Sequence, residues 1–277
     1  MALLLDIATT AALLFIVAAG LFVIFGVLKI INFAHAAWLT IGAYTTVVAT
    51  EMGLSPWVSL PLAVLLGGLL GAATEAVIVR PLYRRPLDAI LATWGLGVVI
   101  VQLITLGFGR DMQMPPALIT GTVDVLGTPY SSYRLFLLAA AVVMGLAFVL
   151  VLERTRLGLN AQAVIMNEML ARALGINTAR VRLITFMLGS AIAAVAGVLL
   201  TPLSSVDPTM GIPWLIGAFM LVMVSGTSVT ALALACLCFG AAQVLVSTWV
   251  SPILGSVTVA VLCAVMLRLH PKGFARD

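Results

Sequence analysis

Long runs of apolar residues, separated by short polar segments, fill this sequence and predict a bundle of helices. The runs do not alternate between apolar and polar positions, as the strands of an outer-membrane barrel would. Several are close to the roughly 20 residues that a helix needs to cross a bilayer. The nine candidate segments are residues 7–28, 34–50, 58–79, 89–108, 134–152, 183–203, 214–226, 229–249 and 255–269.

Two of these segments are short for a complete crossing. Residues 34–50 follow a polar break at Lys29–Asn32, and residues 214–226 suffice only for a partial crossing or a re-entrant helix. The sequence therefore predicts an all-α, polytopic transmembrane helical bundle with about eight to nine membrane segments. We expect one transmembrane domain over residues 1–277. The pattern leaves open whether residues 30–50 form a continuous or a broken helix.

Composition agrees with a protein whose solvent is the bilayer. Hydrophobic residues make up 63% of the 277 positions and charged residues only 9%, too little polar surface for a soluble protein of this size. The net charge of +4 lies in short segments between apolar runs, so it does not indicate nucleic-acid binding. Three cysteines lie within apolar runs and are expected to be buried structural thiols: Cys236, Cys238 and Cys263.

Basic residues are concentrated in alternate loops, which predicts the orientation in the membrane. By the positive-inside rule, these loops lie in the cytoplasm, with the N-terminus outside and the C-terminus cytoplasmic. The N-terminal residues lack the basic region of a secretory signal, so we interpret them as the start of a retained first span. The basic segments are Arg80 with Arg84 and Arg85, residues 153–182, and Arg268 with Lys272 and Arg276.

Small residues recur at the spacing that lets helices approach closely in lipid. Gly67 and Gly71 form a GxxxG pair, and Gly189, Ala193 and Gly197 repeat at every fourth position. We expect these to be packing seams within the chain rather than a subunit interface.

The sequence predicts no chemistry on this chain. It contains no GxxxxGK[ST] phosphate loop, no HExxH metal motif and no Ser, His and Asp set with intramembrane-protease spacing. We therefore predict no catalytic residue, no metal site and no cofactor bound by the chain.

Residues 153–182 form the one long polar interruption. Met169, Leu170 and Leu174, with Ala173 and Ile176, can line one side of a short helix. Glu168 and Arg172 are spaced as an i, i+4 ion pair, and Gly175 is placed to end the helix. Such a helix can dock into a groove on another protein, or it can lie on anionic lipid headgroups.

A second group of polar residues lies beside the first two spans. Lys29, Asn32 and His35 follow one another at three-residue spacing. Polar groups at membrane depth are costly unless they are paired or face water, so they can mark a transport pathway. Alternatively, Lys29 ends the first span and Asn32 caps the next helix. Thr93 and Gln102 are nine residues apart, on opposite faces of a helix unless glycines break it between them.

Three segments resemble the LivH/LivM family, the membrane subunits of ATP-driven importers for branched-chain amino acids, urea and similar small polar solutes. They are GVLKIINFAHAAWLTIGAY (residues 26–44), RRPLDAILATWGLGVVIVQ (residues 84–102) and NEMLARALGINTARVRLITFMLGSAIAAVAGVLL (residues 167–200). The basic tail HPKGFARD also fits the family. The LATWG core is similar to the urea-type branch.

The resemblance implies a permease subunit of an ATP-binding-cassette importer in a bacterial inner (plasma) membrane. It implies three kinds of partner: ATP-binding-cassette subunits that use the ATP, a second homologous or identical permease, and a periplasmic or extracellular solute-binding protein. Urea or a short-chain amide is the preferred cargo, with branched-chain amino acids as the alternative. A self-contained channel or secondary transporter is the alternative from another class, and it predicts that Arg172→Glu leaves transport intact.

The resemblance also assigns expected roles to residues and shows departures. A glycine is usual in the family where Ala36 stands, and basic residues are common where Asn160 and Glu168 stand. The expected substrate-pathway residues are Asn32, His35, Thr93 and Gln102. The expected contacts with the ATPase are Asn167, Glu168, Met169, Leu170, Arg172, Leu174 and Gly175.

Overall fold

The computed structural model describes residues 1–125 and 127–269, and these residues are mostly helical. The predicted basic tail, with Lys272 and Arg276, lies outside the described residues. The α-helices are α1 (Ala2–Leu28), α2 (His35–Glu51), α3 (Ser59–Thr74), α4 (Pro86–Phe108), α5 (Ser132–Arg154), α6 (Arg156–Met166), α7 (Glu168–Ala173), α8 (Thr178–Leu200), α9 (Ile212–Ser225), α10 (Val229–Trp249) and α11 (Pro252–Leu269).

Short helical turns extend α3 at both ends. A 3₁₀ turn at Pro56–Val58 precedes it, and a π-helical turn at Glu75–Val79 with a 3₁₀ turn at Arg80–Leu82 follows it. Together they form one apolar stretch, Pro56–Leu82.

Each of the nine predicted segments corresponds to a helix. Within the described ranges, seven helical stretches are long and apolar enough to cross a membrane. The two segments predicted to be short are the ones outside this set, since α2 has 17 residues and α9 has 14. The predicted all-α, polytopic membrane fold is confirmed.

The polar break after the first span is a change of backbone direction. Helix α1 ends at Leu28, and Lys29 adopts a left-handed backbone with φ of 54°. Such a residue commonly terminates a helix. Helix α2 then begins at His35 and is continuous to Glu51. The chain is therefore broken before His35 and unbroken after it.

The described chain divides into two compact units. The first comprises Met1–Ala18, Ala117–Phe148 and the described part of Ile216–Asp277, and the second comprises Ala19–Pro116 and Val149–Leu215. The expectation of one permease domain stays a prediction.

In the second unit, α2 and α3 pack on α8 through the small residues predicted to form seams. A Cβ atom added at Gly67 would lie 2.7 Å from the Cβ of Ala194 and 2.8 Å from the carbonyl oxygen of Ser190. A Cβ at Gly71 would lie 2.5 Å from the Cβ of Ser190. All three distances are shorter than van der Waals contact, so only glycine allows α3 to approach α8 this closely.

The other predicted seam positions also contact neighbouring helices. A Cβ at Gly189 would lie 2.7 Å from the carbonyl oxygen of Gly20 in α1, and one at Gly197 would overlap the Leu39 carbonyl in α2. Ala193 is fully buried. The prediction of seams within the chain is confirmed.

The first unit contains an element that the sequence did not predict. Strands β1 (Thr122–Val125) and β2 (Thr128–Ser131) pair antiparallel between α4 and α5. The hydroxyl of Tyr130 donates to Asp6 Oδ1 over 2.9 Å, and Arg134 forms an ion pair with Asp6 at 2.6 Å. These bonds join the hairpin to the starts of α1 and α5.

The cysteines are only partly as expected. Cys236 and Cys263 are buried, as predicted, but Cys238 is exposed on α10. All three are free thiols. The prediction was wrong for Cys238 because it lies two residues from Cys236, about 200° around the helix axis.

Candidate functional site

The connection between α1 and α2 packs against α4 through polar contacts. The backbone N–H of Phe33 donates to Thr93 Oγ1 over 3.2 Å, and the Thr93 hydroxyl donates to the carbonyl oxygen of Ile90 over 3.0 Å. Asn32 Oδ1 accepts the N–H of Ala34 at 3.1 Å. This last bond stabilises the turn before α2. Asn32 does not cap α2, because the N-cap residue is Ala34 and no side chain makes a capping bond there.

The polar side chains at this connection are almost wholly inaccessible. Asn32 is 1% exposed, and His35 and Thr93 are 0% exposed. The amide nitrogen Nδ2 of Asn32 has no hydrogen-bond partner among the described residues. A buried amide donor without an acceptor carries a free-energy cost of about 1–3 kcal/mol, which a bound polar molecule would relieve. The structure thus places three of the four predicted pathway residues around one connection.

The fourth predicted pathway residue, Gln102, lies apart. Helix α4 is unbroken from Pro86 to Phe108, so Gly95 and Gly97 do not interrupt it. Thr93 is buried, whereas Gln102 is exposed. The two residues therefore lie on opposite faces, as an intact helix requires for a nine-residue separation.

Two further polar groups on α2 were not singled out from the sequence. The buried Trp38 packs near Leu96 and Ile100 of α4, and the ring of Tyr44 lies 4.8 Å from that of Phe108, centroid to centroid. Trp38 Nε1 and the Tyr44 hydroxyl have no hydrogen-bond partner in the described part of the chain. The sequence could have indicated Trp38, because it follows His35 by three residues and so continues the three-residue spacing of Lys29, Asn32 and His35.

The arrangement along α2 and α4 offers hydrogen-bond donors without charge. Its amide, indole and phenol groups suit the carbonyl or hydroxyl oxygens of a small polar molecule. Within residues 1–125 and 127–269, no three His, Cys, Asp or Glu side chains are placed to hold a metal ion together.

A second candidate site is the polar segment of residues 153–182, which contains two helices rather than one. Thr155 caps α6 by accepting the Gly158 N–H at 3.2 Å, and Asn167 caps α7 by accepting the Leu170 N–H at 3.0 Å. Asn167 is extended, with φ of −158°, which interrupts the helix. Gly175, with φ of 85°, follows the end of α7 as predicted.

Most of the predicted apolar stripe on α7 is exposed. Met169 is 83% exposed, Leu170 is 56% exposed and Leu174 is 73% exposed. Ile176 was expected on the same stripe, and this was wrong. It packs against the buried residues Ala161, Val164, Ala171 and Val181. The turn at Gly175 redirects the chain, so helical periodicity no longer places Ile176 beside Leu174.

Glu168 connects α7 to α8. Its carboxylate binds Arg172 at 2.8 Å, the predicted i, i+4 pair, and also binds Arg182. Arg172 Nε donates to the Thr178 hydroxyl over 2.9 Å. Glu168 stands where a basic residue is common in the LivH/LivM family, and a basic side chain here would lose both ion pairs.

The same network continues to the buried carboxylate of Glu75 in the stretch Pro56–Leu82, the third span. The Arg182 guanidinium lies 4.2 Å from the ring centroid of Tyr83, and the Tyr83 hydroxyl donates to Glu75. Arg80 also pairs with Glu75, at 2.8 Å. Burial and the hydrogen bond to Glu75 raise the pKa of Tyr83 well above its usual range, so its hydroxyl stays protonated and can donate.

The other departures from the family pattern are accommodated. Ala36, where the family usually has glycine, is the second residue of α2 and lies in no tight turn that would require glycine. The glycine that this position requires is Gly211, which packs against the Ala36 carbonyl. A Cβ added at Gly211 would overlap that carbonyl. Asn160 lies within α6, partly buried.

Comparison with known proteins agrees with these features. A family model described as "Branched-chain amino acid transport system / permease component" matches residues 3–269. The high-affinity branched-chain amino acid permease protein LivH of Salmonella typhimurium is 26% identical, over 93% of this chain and 89% of its own length. The probable LivH permease of Methanocaldococcus jannaschii is 26% identical, over 77% of this chain and 70% of its own.

One solved structure supports the fold. PsaBC from Streptococcus pneumoniae in complex with Fab aligns with a TM-score of 0.53, over 98% of this chain and 93% of that chain. The identity is 13%, so this likeness concerns the fold alone. The curated relatives are transport permeases and not enzymes.

Proposed function

Because the chain belongs to the family of permease components of branched-chain amino acid transport systems, we propose that it is the membrane-spanning subunit of an ATP-binding-cassette importer for a small polar solute. Its partners in this proposal are two ATP-binding-cassette subunits, a second homologous or identical permease, and a solute-binding protein outside. The partner subunits use the ATP. The permease alternates between access from outside and from the cytoplasm, and carries out no bond chemistry.

The observation that carries this proposal is the exposed apolar face of α7. A helix of six residues cannot hold its shape in water by itself. Here Asn167 and Gly175 define its ends, and Glu168 holds it to α8. Met169, Leu170 and Leu174 nevertheless remain exposed, at a surface that an apolar groove on an ATPase subunit would cover.

The Glu168 network supplies a route for the motion. Movement of α7 displaces Glu168, and Arg182 connects Glu168 to Tyr83. Tyr83 in turn contacts Glu75 in the π-helical turn of the third span. Single π-helical turns often occur at functional positions in helices. In this proposal, the chain of contacts transmits ATPase movement from α7 to the third span.

The orientation that we propose is supported by which loops lie together in the second unit. Basic residues of two loops meet at one end, where Arg182 contacts Tyr83. At the other ends of α4 and α8, the backbones of Gln113 and Val206 form an antiparallel bridge. By the positive-inside rule we place the basic end in the cytoplasm. The N-terminus is then outside, in a bacterial inner membrane.

The cargo that we propose is a small polar solute held through hydrogen bonds along α2 and α4. The relatives' names favour branched-chain amino acids, which we place first. Urea or a short-chain amide is the second candidate, favoured by the LATWG segment. Within that segment Trp94 is 58% exposed, whereas its neighbour Thr93 is buried. Thr93 is therefore the residue of the segment that we place beside the transport pathway. Uptake of labelled leucine and labelled urea by cells expressing the complete importer distinguishes the two.

The decisive experiment is affinity purification of the permease from its native membrane with Leu170 and Leu174 both changed to Asp. We expect the wild type to recover an ATPase subunit and the double variant to lose it, because two carboxylates cannot enter an apolar groove. The matched control changes Met112 and Met114 to Asp. These residues are 70% and 84% exposed in the loop after α4.

The control should recover the ATPase as the wild type does. Recovery of the ATPase by the Leu170 and Leu174 variant would refute docking through α7, and would favour α7 lying on lipid. A transport-active wild type that recovers no ATPase would instead indicate a self-contained channel or secondary transporter.

A further inference from the structure

A basic cleft opens beside the Glu168 network. Its volume is about 590 Å³, within the range of small-molecule sites. It is formed by the turn after the third span, by α7 and by the first turns of α8. The lining residues are Arg80, Pro81, Tyr83, Arg84, Glu168, Met169, Arg172 and Arg182.

The charges around this cleft do not balance. Four guanidinium groups line it, together with the carboxylate of Glu168. Glu168 is shared by Arg172 and Arg182, and the buried Glu75 binds Arg80. The two carboxylates pair with three of the four arginines, and the group as a whole keeps two excess positive charges. An anion entering the cleft would offset this excess.

Arg84 is the arginine available to an incoming anion. It is exposed and lines the cleft, and it forms no ion pair with any residue that the structure describes. The other guanidiniums are already oriented, since the Arg182 side chain is only 15% exposed and is held by Glu168 and Tyr83. A site with most of its donors fixed in advance loses little entropy when an anion binds.

The position of the cleft indicates where the anion comes from. One wall lies at the end of the stretch Pro56–Leu82, and another lies at the start of Thr178–Leu200, both of which are long enough to cross a membrane. The guanidiniums therefore lie at the level where crossing helices end and lipid phosphates begin. Pro81 and Met169 add apolar surface beside the charges. Basic pockets at this level between membrane helices bind anionic lipid headgroups.

We propose that this cleft binds the headgroup of an anionic phospholipid such as phosphatidylglycerol. Arg84 and Arg182 contact the phosphate, and Pro81 lies against the lipid. The cleft shares Tyr83, Glu168 and Arg182 with the proposed coupling route, but lipid binding to it does not depend on the importer assignment.

The test is native mass spectrometry of the full-length chain in detergent, titrated with phosphatidylglycerol or with phosphatidylcholine of the same acyl chains. We expect one phosphatidylglycerol to be retained in preference to phosphatidylcholine. Arg84→Gln should weaken this binding about fivefold, the effect of removing one basic residue near a lipid surface. Arg85→Gln is the matched control, since Arg85 does not line the cleft, is 76% exposed and pairs with Asp88 at 3.7 Å. It should bind as the wild type does.

Three results would overturn the proposal. The first is equal binding of phosphatidylglycerol by both variants and the wild type. The second is displacement of the lipid by about 1 mM inorganic phosphate, a concentration typical of weak sites, which would identify a free-phosphate site. The third is unchanged lipid binding by Arg84→Gln with loss of the ATPase on purification, which would assign the cleft to a protein contact. The lipid titration contains no ATPase and no nucleotide, so its result is independent of the test of α7.

Discussion

The guanidinium of Arg182 lies 4.2 Å from the ring centroid of Tyr83. The two residues are 99 positions apart in sequence, with Tyr83 just after the stretch Pro56–Leu82 and Arg182 near the start of α8. Arg182 also binds Glu168 of α7, and Tyr83 donates to the buried Glu75. This pair therefore joins the surface helix α7 to the interior of the third span.

Replacing Arg182 should uncouple ATP hydrolysis from transport. In Arg182→Gln, α7 keeps its pair between Glu168 and Arg172 but loses its connection to Tyr83. We expect uptake by the complete importer to fall about tenfold, the effect of losing a contact of about 1.4 kcal/mol, while ATP hydrolysis and ATPase recovery stay near the wild-type level. The measurement is the ratio of solute moved to ATP hydrolysed in proteoliposomes.

Arg180→Gln is the matched control for that measurement, because Arg180 is exposed and forms no ion pair with a described residue. It should leave the ratio unchanged. An unchanged ratio in Arg182→Gln as well would contradict the proposed route.

Glu75 should contribute to stability more than an exposed carboxylate does. It is fully buried and accepts hydrogen bonds from Arg80 and Tyr83. Glu75→Leu leaves both donors without their acceptor, so we expect the free energy of unfolding to fall by about 3 kcal/mol. Asp88→Asn, which removes the exposed pair with Arg85, should cost less than about 1 kcal/mol. Thermal unfolding in one detergent compares the stability of the two variants. Equal losses of stability would show that the buried Glu75 contributes no more than an exposed carboxylate does.

The packing seam between α3 and α8 predicts opposite results for two glycines. Gly67→Ala places a Cβ 2.7 Å from Ala194, so the helices must separate, and we expect a loss of about 1–3 kcal/mol. Gly95→Ala meets nothing within 4 Å and should be neutral or stabilising by up to about 1 kcal/mol, since alanine favours the helix. Unfolding midpoints measure both, and a tolerated Gly67→Ala would contradict the close approach of the helices.

The connection before α2 predicts a transport defect larger than the accompanying loss of stability. Asn32→Leu removes the unpartnered Nδ2 and also the bond to the Ala34 N–H. We expect uptake to fall at least tenfold, since a lost contact with solute of 1.4 kcal/mol or more has that effect. Gln102→Leu should change uptake less than about twofold, because the side chain is exposed and its loss is worth under about 0.4 kcal/mol.

The unfolding midpoints of both variants show whether a change in uptake comes from a loss of folded protein. A large defect in Gln102→Leu with normal uptake by Asn32→Leu would place the pathway on the other face of α4.

Hydrophobic runs were sufficient to locate the helices that correspond to the nine predicted segments, seven of which lie in stretches long and apolar enough to cross a membrane, because burying apolar surface in lipid depends on local composition and length. Local signals also located the ends of α7, since capping by Asn167 and termination at Gly175 involve only neighbouring residues. The hairpin at Thr122–Ser131 had no such signal, because its strands are four residues each and contain Pro129.

The sequence by itself determined the membrane fold, its crossing helices, the seams of small residues and the basic loops, all of which follow from periodicity and composition. Only the tertiary structure decided which polar groups meet. It placed Asn32 and Thr93 at one connection and Gln102 on another face, and it joined Tyr83 to Arg182. These contacts span 60 to 99 positions, and no local preference encodes them. They arise because helices packed through glycine seams bring distant loops to the same end of a unit.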